Sequence, residues 1–375
     1  MTKLKKTIVL LPGDGIGPEV TRSAAQVLTD CAHEFGHSFE LIEQPIGGAA
    51  IDQTGWPFPK PAQDACLAAD AVFLGAVGGP RWDDLPVGRR PETGMLDLRQ
   101  LVRSFVNLRP VRLRPSLAKI SPLRPERASK VDFEIVRELA GGIYFGKRGH
   151  RGEKDNETAF DTESYSAREV ERIAKVAFER AMARRRQLVS VDKANVLISS
   201  QLWRRTVDRV AKDYPDVQVR HLLVDNAAMQ MVLDPGQFDV ILASNMFGDI
   251  LSDEGAALAG SIGLIPSASY GSGDGPGPGL YEPIHGSAPQ LTGKDAANPI
   301  GAILSVAMMF RESFGLAREA AWVEEAVDRA LAAGHRTADI AAPGEPVIGL
   351  EAMTAAIRHE LAHPAQHAEG YGWGV

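Results

Sequence analysis

Two aspartates, Asp249 and Asp253, stand four residues apart in the segment NMFGDILSDEGAALAG at residues 245–260. The segment is mostly small or apolar and is typical of a loop that runs into a helix. A spacing of four places both carboxylates on one helical face, where like charges repel unless water or a positive group lies between them. One interpretation is that Asp249 caps the helix and meets the positive end of its dipole, which explains Asp253 less well.

A third carboxylate, Asp225, follows the strand-like run HLLV. Three aspartates without any cluster of cysteine or histidine favour a hard, oxygen-binding ion such as Mg²⁺ or Mn²⁺, and they disfavour zinc. The pattern alone leaves two interpretations open, a metal site and the electrostatics of a helix terminus.

Arginines cluster within a chain whose formal net charge is −7. Arg99 and Arg109 lie in ETGMLDLRQLVRSFVNLRP, and Arg137 lies in IVRELAGG. Guanidinium groups bind carboxylates through paired hydrogen bonds, so a small anionic ligand is favoured over nucleic acid. A solvated basic surface is expected for the other clustered arginines, namely Arg112, Arg114 and the run at residues 184–186.

Two further side chains could move protons. Lys193 follows the strand-like run LVSVD, and the carboxyl ends of strands in α/β sheets commonly carry functional residues. Partial desolvation there would lower the pKa of the lysine and let it act as a base, whereas full exposure would make it a surface residue. Tyr144 in GGIYFG is either an acid or a packed side chain with a satisfied hydroxyl.

The segment LPGDGIGPEV follows a strand-like run and opens a helix, as a dinucleotide-binding loop does. Pro18 occupies the position of the third glycine in the fingerprint G-x-G-x-x-G, so the match fails. We predict instead a tight glycine turn that lets the strand and the helix pack closely.

Strand-like and helix-like segments alternate along the 375 residues, which predicts an α/β fold with helices on both faces of a sheet. Apolar residues make up 44% and charged residues 24% of the chain, as in ordinary globular proteins. The acidic balance argues against a nucleic-acid binder, and no apolar run is long enough to span a membrane. The two separate cysteines suit a reducing compartment, so a cytoplasmic protein is expected.

Several motifs together resemble the isocitrate and isopropylmalate dehydrogenase family over most of the chain. They are VLLPGDGIGPEV, GAVGGPRWD, RPETGMLDLR, FVNLRP, VRELAGGIYFG, VSVDKANVL, VDNAAMQ, NMFGDILSDE and YEPIHGSAPQLTGKDAANP. The resemblance implies a two-domain α/β fold in which helices flank a large mixed sheet, unlike a Rossmann fold. Residues 1–104 and 260–375 would form a discontinuous cofactor-binding domain, and residues 105–259 a domain for substrate binding and dimerisation.

The resemblance also implies a homodimer with shared active sites. In that arrangement each site takes a divalent ion, Mg²⁺ or Mn²⁺, and draws side chains from both subunits. The residues that match the family's motifs are Asp249 and Asp253 with the partner's Asp225 for the ion, Arg99, Arg109 and Arg137 for the substrate carboxylates, and Tyr144 with the partner's Lys193 for catalysis.

The activity that the resemblance implies is the metal-dependent oxidative decarboxylation of 3-isopropylmalate with reduction of NAD, in leucine biosynthesis. Met95 and Leu96 are apolar where isocitrate-type members place small polar residues, and an apolar wall favours an isopropyl group over a third carboxylate. Val196 would complete that pocket. The alternatives are a tartrate or D-malate dehydrogenase of the same family and a non-catalytic regulatory subunit, which typically loses the base or metal ligands that this chain retains.

NAD is the cofactor that the resemblance implies. Gln290 in HGSAPQ stands where NAD-dependent members carry an aspartate for the ribose hydroxyls, so we expect NAD to be preferred with weaker discrimination against NADP. The Gly/Pro-rich stretch at residues 271–279 has no predicted role. The other positions that match cofactor contacts are Gly78, Gly79, Glu92, Asn195, His285, Gly286, Ser287, Ala288 and Asn298.

Overall fold

The computed structural model describes residues 3–271 and 277–363. The strands are β1 (Lys5–Gly13), β2 (Ser38–Glu43), β3 (Ala71–Ala76), β4 (Val106–Arg112), β5 (Asp132–Glu138), β6 (Arg148–Arg151), β7 (Thr158–Asp161), β8 (Gln187–Asp192), β9 (Gln218–Leu223), β10 (Val240–Ala243), β11 (Pro266–Tyr270) and β12 (Gly279–Pro283). The helices are α1 (Gly17–Phe35), α2 (Gly47–Thr54), α3 (Lys60–Ala68), α4 (Pro91–Leu101), α5 (Pro125–Ala128), α6 (Ala167–Met182), α7 (Ile198–Ala211), α8 (Val224–Leu233), α9 (Asn245–Leu258), α10 (Ile300–Glu312), α11 (Ala317–Ala332) and α12 (Leu350–Ala362). Most of the Gly/Pro-rich stretch and the end of the C-terminal tail lie outside the described residues.

The chain divides into two compact units. The first has the bounds Met1–Ser104, Arg114–Pro122 and Ala259–Val375, and the second has the bounds Phe105–Leu113 and Leu123–Leu258. Residues 114–122, which the predicted domain ranges place in the second domain, group with the first unit. The roles assigned to the two domains stay a prediction.

The first unit contains five strands in the order β2-β1-β3-β12-β11. β1 pairs in parallel with β2 and β3, β3 pairs in parallel with β12, and β11 is antiparallel to β12. Every residue of β3 is buried, as is the run from Ile300 to Phe310 in α10. The apolar helix α10 is therefore a core helix, packed against β11, β12 and α11.

In the described part of the second unit, five strands have the order β4-β5-β10-β8-β9, with β4 antiparallel to β5 and the other pairs parallel. α6 and α7 pack on each other and on this sheet, and Ser166 and Glu169 form a capping box at the start of α6. The predicted α/β class, with mixed sheet and flanking helices, is confirmed. Strands β6 and β7 form a separate antiparallel hairpin.

The glycine turn after β1 is tight, as the sequence predicts. A Cβ on Gly13 would lie 1.9 Å from the carbonyl oxygen of Ala76, and Gly13 has a left-handed φ of 72°. A Cβ on Gly17 would lie 2.2 Å from the carbonyl oxygen of Pro12. Only glycine fits at these two positions, so the turn brings the start of α1 against β3.

Asp14, at the centre of this turn, ties three segments of the first unit together. Its carboxylate accepts hydrogen bonds from the backbone N–H groups of Gly48 at 2.8 Å, Ala49 at 2.7 Å and Gly78 at 2.9 Å. Burial raises the pKa of Asp14 above its ordinary value, and the three N–H groups oppose that shift. The segment that looks like a nucleotide-binding loop is thus a structural junction.

Replacing Asp14 by Ala removes the acceptor of these three N–H groups. Because an unsatisfied buried polar group costs about 1–3 kcal/mol, we expect the free energy of unfolding to fall by about 2–4 kcal/mol, measured by urea denaturation. Asp64→Ala, which removes the exposed partner of Lys60 on α3, serves as the control and should change stability by less than about 1 kcal/mol. A wild-type urea midpoint for Asp14→Ala would contradict this role of Asp14.

Candidate active site

Helix α9 carries Asp249 and Asp253 on one face, as their spacing predicts. The helix begins at Asn245, so Asp249 lies one turn inside it and the interpretation of Asp249 as an N-cap is wrong. The side chains are 35% and 61% exposed. Their repulsion is offset by arginine, because the guanidinium of Arg109 lies 3.2 Å from Asp249 and 4.0 Å from Asp253.

A second buried arginine meets Asp249 from β5. Nη1 of Arg137 donates to Oδ1 of Asp249 at 2.6 Å, and Nη1 of Arg109 donates to the same oxygen at 3.2 Å. Gly248 makes this approach possible, since a Cβ there would lie 2.7 Å from Cγ of Arg137. Two of the three predicted carboxylate-binding arginines are therefore together in the second unit.

Neutral side chains that the sequence analysis missed hold these arginines in place. Nε of Arg109 donates to Oδ1 of Asn107 at 2.8 Å, and its Nη1 donates to Oγ of Ser252 at 2.6 Å. Nε and Nη2 of Arg137 both donate to Oδ1 of Asn245, at 3.1 and 2.7 Å. The signal that could have found Asn107 is its position two residues before Arg109 on one strand, where both side chains share a face.

Tyr144 belongs to the same group. Its hydroxyl donates to Oδ2 of Asp249 at 3.0 Å, and its ring lies 5.8 Å from the guanidinium of Arg137. Burial, and then the charge of Asp249, raise the pKa of Tyr144 above its ordinary value. Burial also raises the pKa of Asp253, with Asp249 adding to the shift and Arg109 opposing it. At neutral pH the tyrosine is consequently a proton donor.

Lys193 and Asp225 form a second group in this unit. Nζ of Lys193 donates to Oδ1 of Asp225 at 2.5 Å, and this bond holds the pKa of Asp225 below its ordinary value. Asn195 and Val196 follow on the exposed loop after β8. Within the described ranges, no group of three or more Asp, Glu, His or Cys side chains could hold a metal ion. Within one chain, the predicted metal ligand Asp225 is therefore paired with Lys193 and forms no such group with Asp249 and Asp253.

The third predicted arginine, Arg99, lies on α4 in the first unit. It is buried, and its Nη2 donates to Oε1 of Glu282 at 3.0 Å, a partner that the sequence analysis missed. Leu96 and Glu92 precede Arg99 by three and seven residues, so they share its helical face. Met95 packs against the apolar core of the unit.

Two predicted cofactor segments, the first at residues 78–79 and the second at residues 285–290, lie close together in the first unit. The Gly78 backbone has a left-handed φ of 108°, and a Cβ on it would lie 2.8 Å from the carboxylate of Glu92. A Cβ on Gly79 would lie 3.7 Å from Pro289, in the second segment. The carbonyl of Ser287 accepts a hydrogen bond from the N–H group of Ile16 at 2.8 Å, so the glycine turn supports that segment.

The second segment has the features of a ligand-binding loop. Nδ1 of His285 lies 2.9 Å from the carbonyl oxygen of Gly286, while the buried Nε2 has no hydrogen-bond partner among the described residues. Burial lowers the pKa of His285, so the ring is neutral at neutral pH. Ala288 has a left-handed φ of 38°, and Gln290 is exposed. An orphaned polar atom beside exposed backbone fits a bound polar molecule.

Asn298, also a predicted cofactor contact, is engaged within the protein. Its Nδ2 donates to Asp339 at 3.0 Å, and its Oδ1 accepts from the N–H group of Ile300 at 3.0 Å. One Nδ2 hydrogen remains beyond these two bonds.

The expectation of a solvated basic surface is wrong for two arginines. Arg114 donates from Nε to Asp328 at 2.5 Å, and its side chain is largely buried. Arg184 donates to the buried Asp239 at 2.8 Å. Both side chains have structural ion pairs.

Comparison with known proteins agrees with this fold. The family model described as "Isocitrate/isopropylmalate dehydrogenase" matches residues 7–357. A 3-isopropylmalate dehydrogenase of Priestia megaterium is 52% identical over 361 residues, which are 96% of this chain and 97% of that protein. One of Synechococcus sp. is 55% identical over 347 residues, which are 92% of this chain and 96% of that protein.

Solved structures give the same result. The crystal structure of an isocitrate dehydrogenase from Methylococcus capsulatus has a TM-score of 0.83 and 31% identity, covering 95% of this chain and 99% of its own. A beta-decarboxylating dehydrogenase from Thermococcus kodakarensis has a TM-score of 0.75 and 34% identity, covering 95% and 96%.

The chain belongs to the isocitrate/isopropylmalate dehydrogenase family, whose members are oxidoreductases. The predicted family and enzyme class are confirmed. In the part of the chain that the structure describes, no helix is both long and apolar enough to cross a membrane.

Proposed function

We propose that this protein is a cytoplasmic enzyme of leucine biosynthesis. Its reaction is the metal-dependent oxidative decarboxylation of 3-isopropylmalate to 4-methyl-2-oxopentanoate, with reduction of NAD. The observation that carries the proposal is the convergence of Arg109, Arg137 and Tyr144 on Asp249. It occurs in a chain that is 52–55% identical to 3-isopropylmalate dehydrogenases over more than nine-tenths of its length.

The arginines bind the two carboxylates of the substrate. Arg109 and Arg137 are buried, so their charges act in a medium of low dielectric constant and attract an anion more strongly than exposed arginines do. Arg99 already faces Glu282, and therefore supplies hydrogen bonds and shape more than net charge. Positioned guanidiniums hold C2 and C3 of the substrate in a reactive orientation.

The oxygen donors at α9 suit a hard divalent cation. Asp249 and Asp253 present carboxylates one helical turn apart, partly exposed, and the partner's Asp225 would complete the set. A bound Mg²⁺ or Mn²⁺ supplies a Lewis acid that polarises the substrate's C2 oxygen. The same donor set gives no reason to choose between the two ions.

Two side chains handle the protons of the reaction. The partner's Lys193 accepts the proton of the C2 hydroxyl as hydride leaves C2 for NAD. The carboxylate on C3 would then leave as CO₂, and its bonding electrons would form the enolate of the 2-oxo acid. Tyr144 delivers a proton to C3, because burial and Asp249 keep its hydroxyl protonated at neutral pH.

The pocket for the substrate's side chain favours an isopropyl group. Leu96 shares the face of α4 with Arg99, while Met95 supports that wall from the core side. An alkyl group gains about 1–3 kcal/mol against such a wall, whereas tartrate would place a hydroxyl there. Because the apolar wall favours the alkyl group, a tartrate or D-malate dehydrogenase is the second candidate, after a 3-isopropylmalate dehydrogenase.

NAD would bind the first unit. Gly78 and Gly79 bring the backbone close to Glu92 and Pro289 in conformations that favour glycine, and the neutral His285 offers an Nε2 that has no partner among the described residues. Ser287, Ala288 and the exposed Gln290 follow on the same loop, and Glu92, Gly286 and Asn298 are the remaining proposed contacts in this unit. Asn195, which belongs to the second unit, stays a predicted contact.

A second copy of the chain would complete each active site. The pair Lys193–Asp225 adjoins the exposed apolar side chains Val196 and Ile198, which are 67% and 80% exposed. Helix α8 after Asp225 exposes further apolar residues, including Met229. Among the described strands, none joins the hairpin β6–β7 as a third strand, and an isolated hairpin is marginally stable without a covering surface. These faces suit a homodimer interface.

The direct test is reduction of NAD by the purified protein with 3-isopropylmalate and Mg²⁺ or Mn²⁺, followed by absorbance at the NADH maximum. We expect turnover, its loss in EDTA, and its return with excess metal. Tartrate and D-malate are the control substrates and should react at least about tenfold less efficiently, as 1.4 kcal/mol of lost binding predicts. No turnover of 3-isopropylmalate with metal present would overturn the substrate assignment.

Gln290 sets the choice between NAD and NADP in this proposal. We expect kcat/KM for NAD to exceed that for NADP in the wild type. Gln290→Asp should raise the ratio by about tenfold, because its carboxylate repels the 2′-phosphate of NADP. Gln290→Glu is a matched variant of the same charge and greater length. A wild type that prefers NADP would contradict the cofactor assignment.

Shared active sites predict complementation between two inactive variants. Lys193→Ala and Asp253→Asn homodimers should each lose about 100-fold or more in kcat. A heterodimer purified through two different tags has one complete site, and should have about half the activity of the wild-type dimer. If each site drew all its residues from one subunit, the heterodimer would stay inactive, which is the contradicting outcome.

A further inference from the structure

The two active-site arginines of the second unit differ from its structural arginines in how they are held. Arg180 forms two 2.8 Å hydrogen bonds with Glu134, and Arg204 forms two 2.8 Å hydrogen bonds with Asp192. Glu134 and Asp192 are buried carboxylates, so each pair is formally neutral. Such bidentate pairs are the usual way to fix a guanidinium.

In Arg180 and Arg204 the Nε edge of the guanidinium faces a carboxylate. At Arg109 and Arg137 the same edge faces a side-chain amide. Oδ1 of Asn107 accepts from Nε of Arg109 at 2.8 Å, and Oδ1 of Asn245 accepts from Nε and Nη2 of Arg137 at 3.1 and 2.7 Å. Both asparagines are fully or almost fully buried. An amide oxygen orients a guanidinium as a carboxylate does, but it cancels none of its charge.

Asn245 is itself held in one orientation. Its Nδ2 donates to the carbonyl oxygens of Leu139 at 3.3 Å and Gly141 at 3.0 Å, so Oδ1 must face Arg137. The backbone N–H group of Asn245 donates to the hydroxyl of Tyr165 at 2.9 Å. The amide is therefore a rigid acceptor, placed before any ligand arrives.

We propose that Asn107 and Asn245 are positioning residues that fix Arg109 and Arg137 without adding to the negative charge of Asp249, which both guanidiniums already contact, so that more positive charge is kept for a dicarboxylate substrate. The inference rests on the proposed function, since it assumes that the ligand of these arginines is anionic. A carboxylate in place of Asn107 or Asn245 would keep the hydrogen bond to Nε of the arginine. It would also add a buried negative charge beside the negative charges of the substrate.

The test compares two replacements of Asn107. Asn107→Asp keeps the shape and the acceptor but adds charge, whereas Asn107→Ala removes the acceptor and adds no charge. If Asn107 preserves charge, KM for 3-isopropylmalate rises more in Asn107→Asp, by about tenfold or more, than in Asn107→Ala. KM for NAD stays within about twofold of the wild type in both variants, since the charge lies at the substrate carboxylates.

Stability supplies the second measurement. Asn107→Asp should unfold in urea at a concentration no lower than Asn107→Ala, because it retains the bond to Arg109. Asn245→Asp and Asn245→Ala repeat the comparison at Arg137 if the Asn107 variants do not fold. Gln53→Glu, at an exposed position of α2 in the first unit, adds the same charge outside the unit that holds both arginines and is expected to leave KM unchanged.

A purely structural role predicts the opposite order of KM, with the alanine variant worse than the aspartate variant. That order in an active wild-type background would overturn the proposal. A wild type that does not oxidise 3-isopropylmalate at all would overturn the proposed function instead, so the two failures are distinguishable.

Discussion

The organisation of the second unit depends on two buried guanidiniums that converge on one carboxylate oxygen. Arg109 and Arg137 reach Oδ1 of Asp249 from adjacent antiparallel strands, and Tyr144 donates to the other oxygen. Burying two cations side by side is costly unless other groups compensate for them. Asp249, the two asparagine amides and Ser252 supply that compensation, which is why β4, β5 and α9 must pack in one register.

The first unit solves a different problem, which is to pack glycine-rich backbone closely beside the proposed cofactor loop. Its glycine turn fails as a nucleotide fingerprint because Pro18 replaces a glycine, yet Asp14 uses the turn to anchor the segments at Gly48 and Gly78. The turn also supports the loop that carries His285 through the carbonyl of Ser287. A structural junction thus sits beside the proposed cofactor loop without forming part of a Rossmann motif.

The sequence predicts much of this because periodicity and charge are local. The alternation of strands and helices, the glycine turn, and the shared face of Asp249 and Asp253 all follow from spacing within a few residues. The N-cap interpretation of Asp249 failed because the helix starts at Asn245, and helix boundaries are weakly encoded. Glu282, Asn245 and Ser252 were missed because their partners lie about 100 residues or more away in sequence, and only tertiary packing brings them together. Arg114 and Arg184 were misjudged because their partners, Asp328 and Asp239, lie 214 and 55 residues away and are also brought close only by tertiary packing.

Gly248 has a consequence for how this helix can vary. Its missing side chain is the space through which the stem of Arg137 passes, with Cβ and Cγ both within 3 Å of where a methyl group would be. The obstructing atoms are the stem's first carbons, close to the backbone, so they cannot swing aside as a flexible tip can. A single methyl group at this position would displace the stem of Arg137 and so misdirect its positive charge. Gly248, which has no side chain of its own, is in this sense part of the ligand-recognition site.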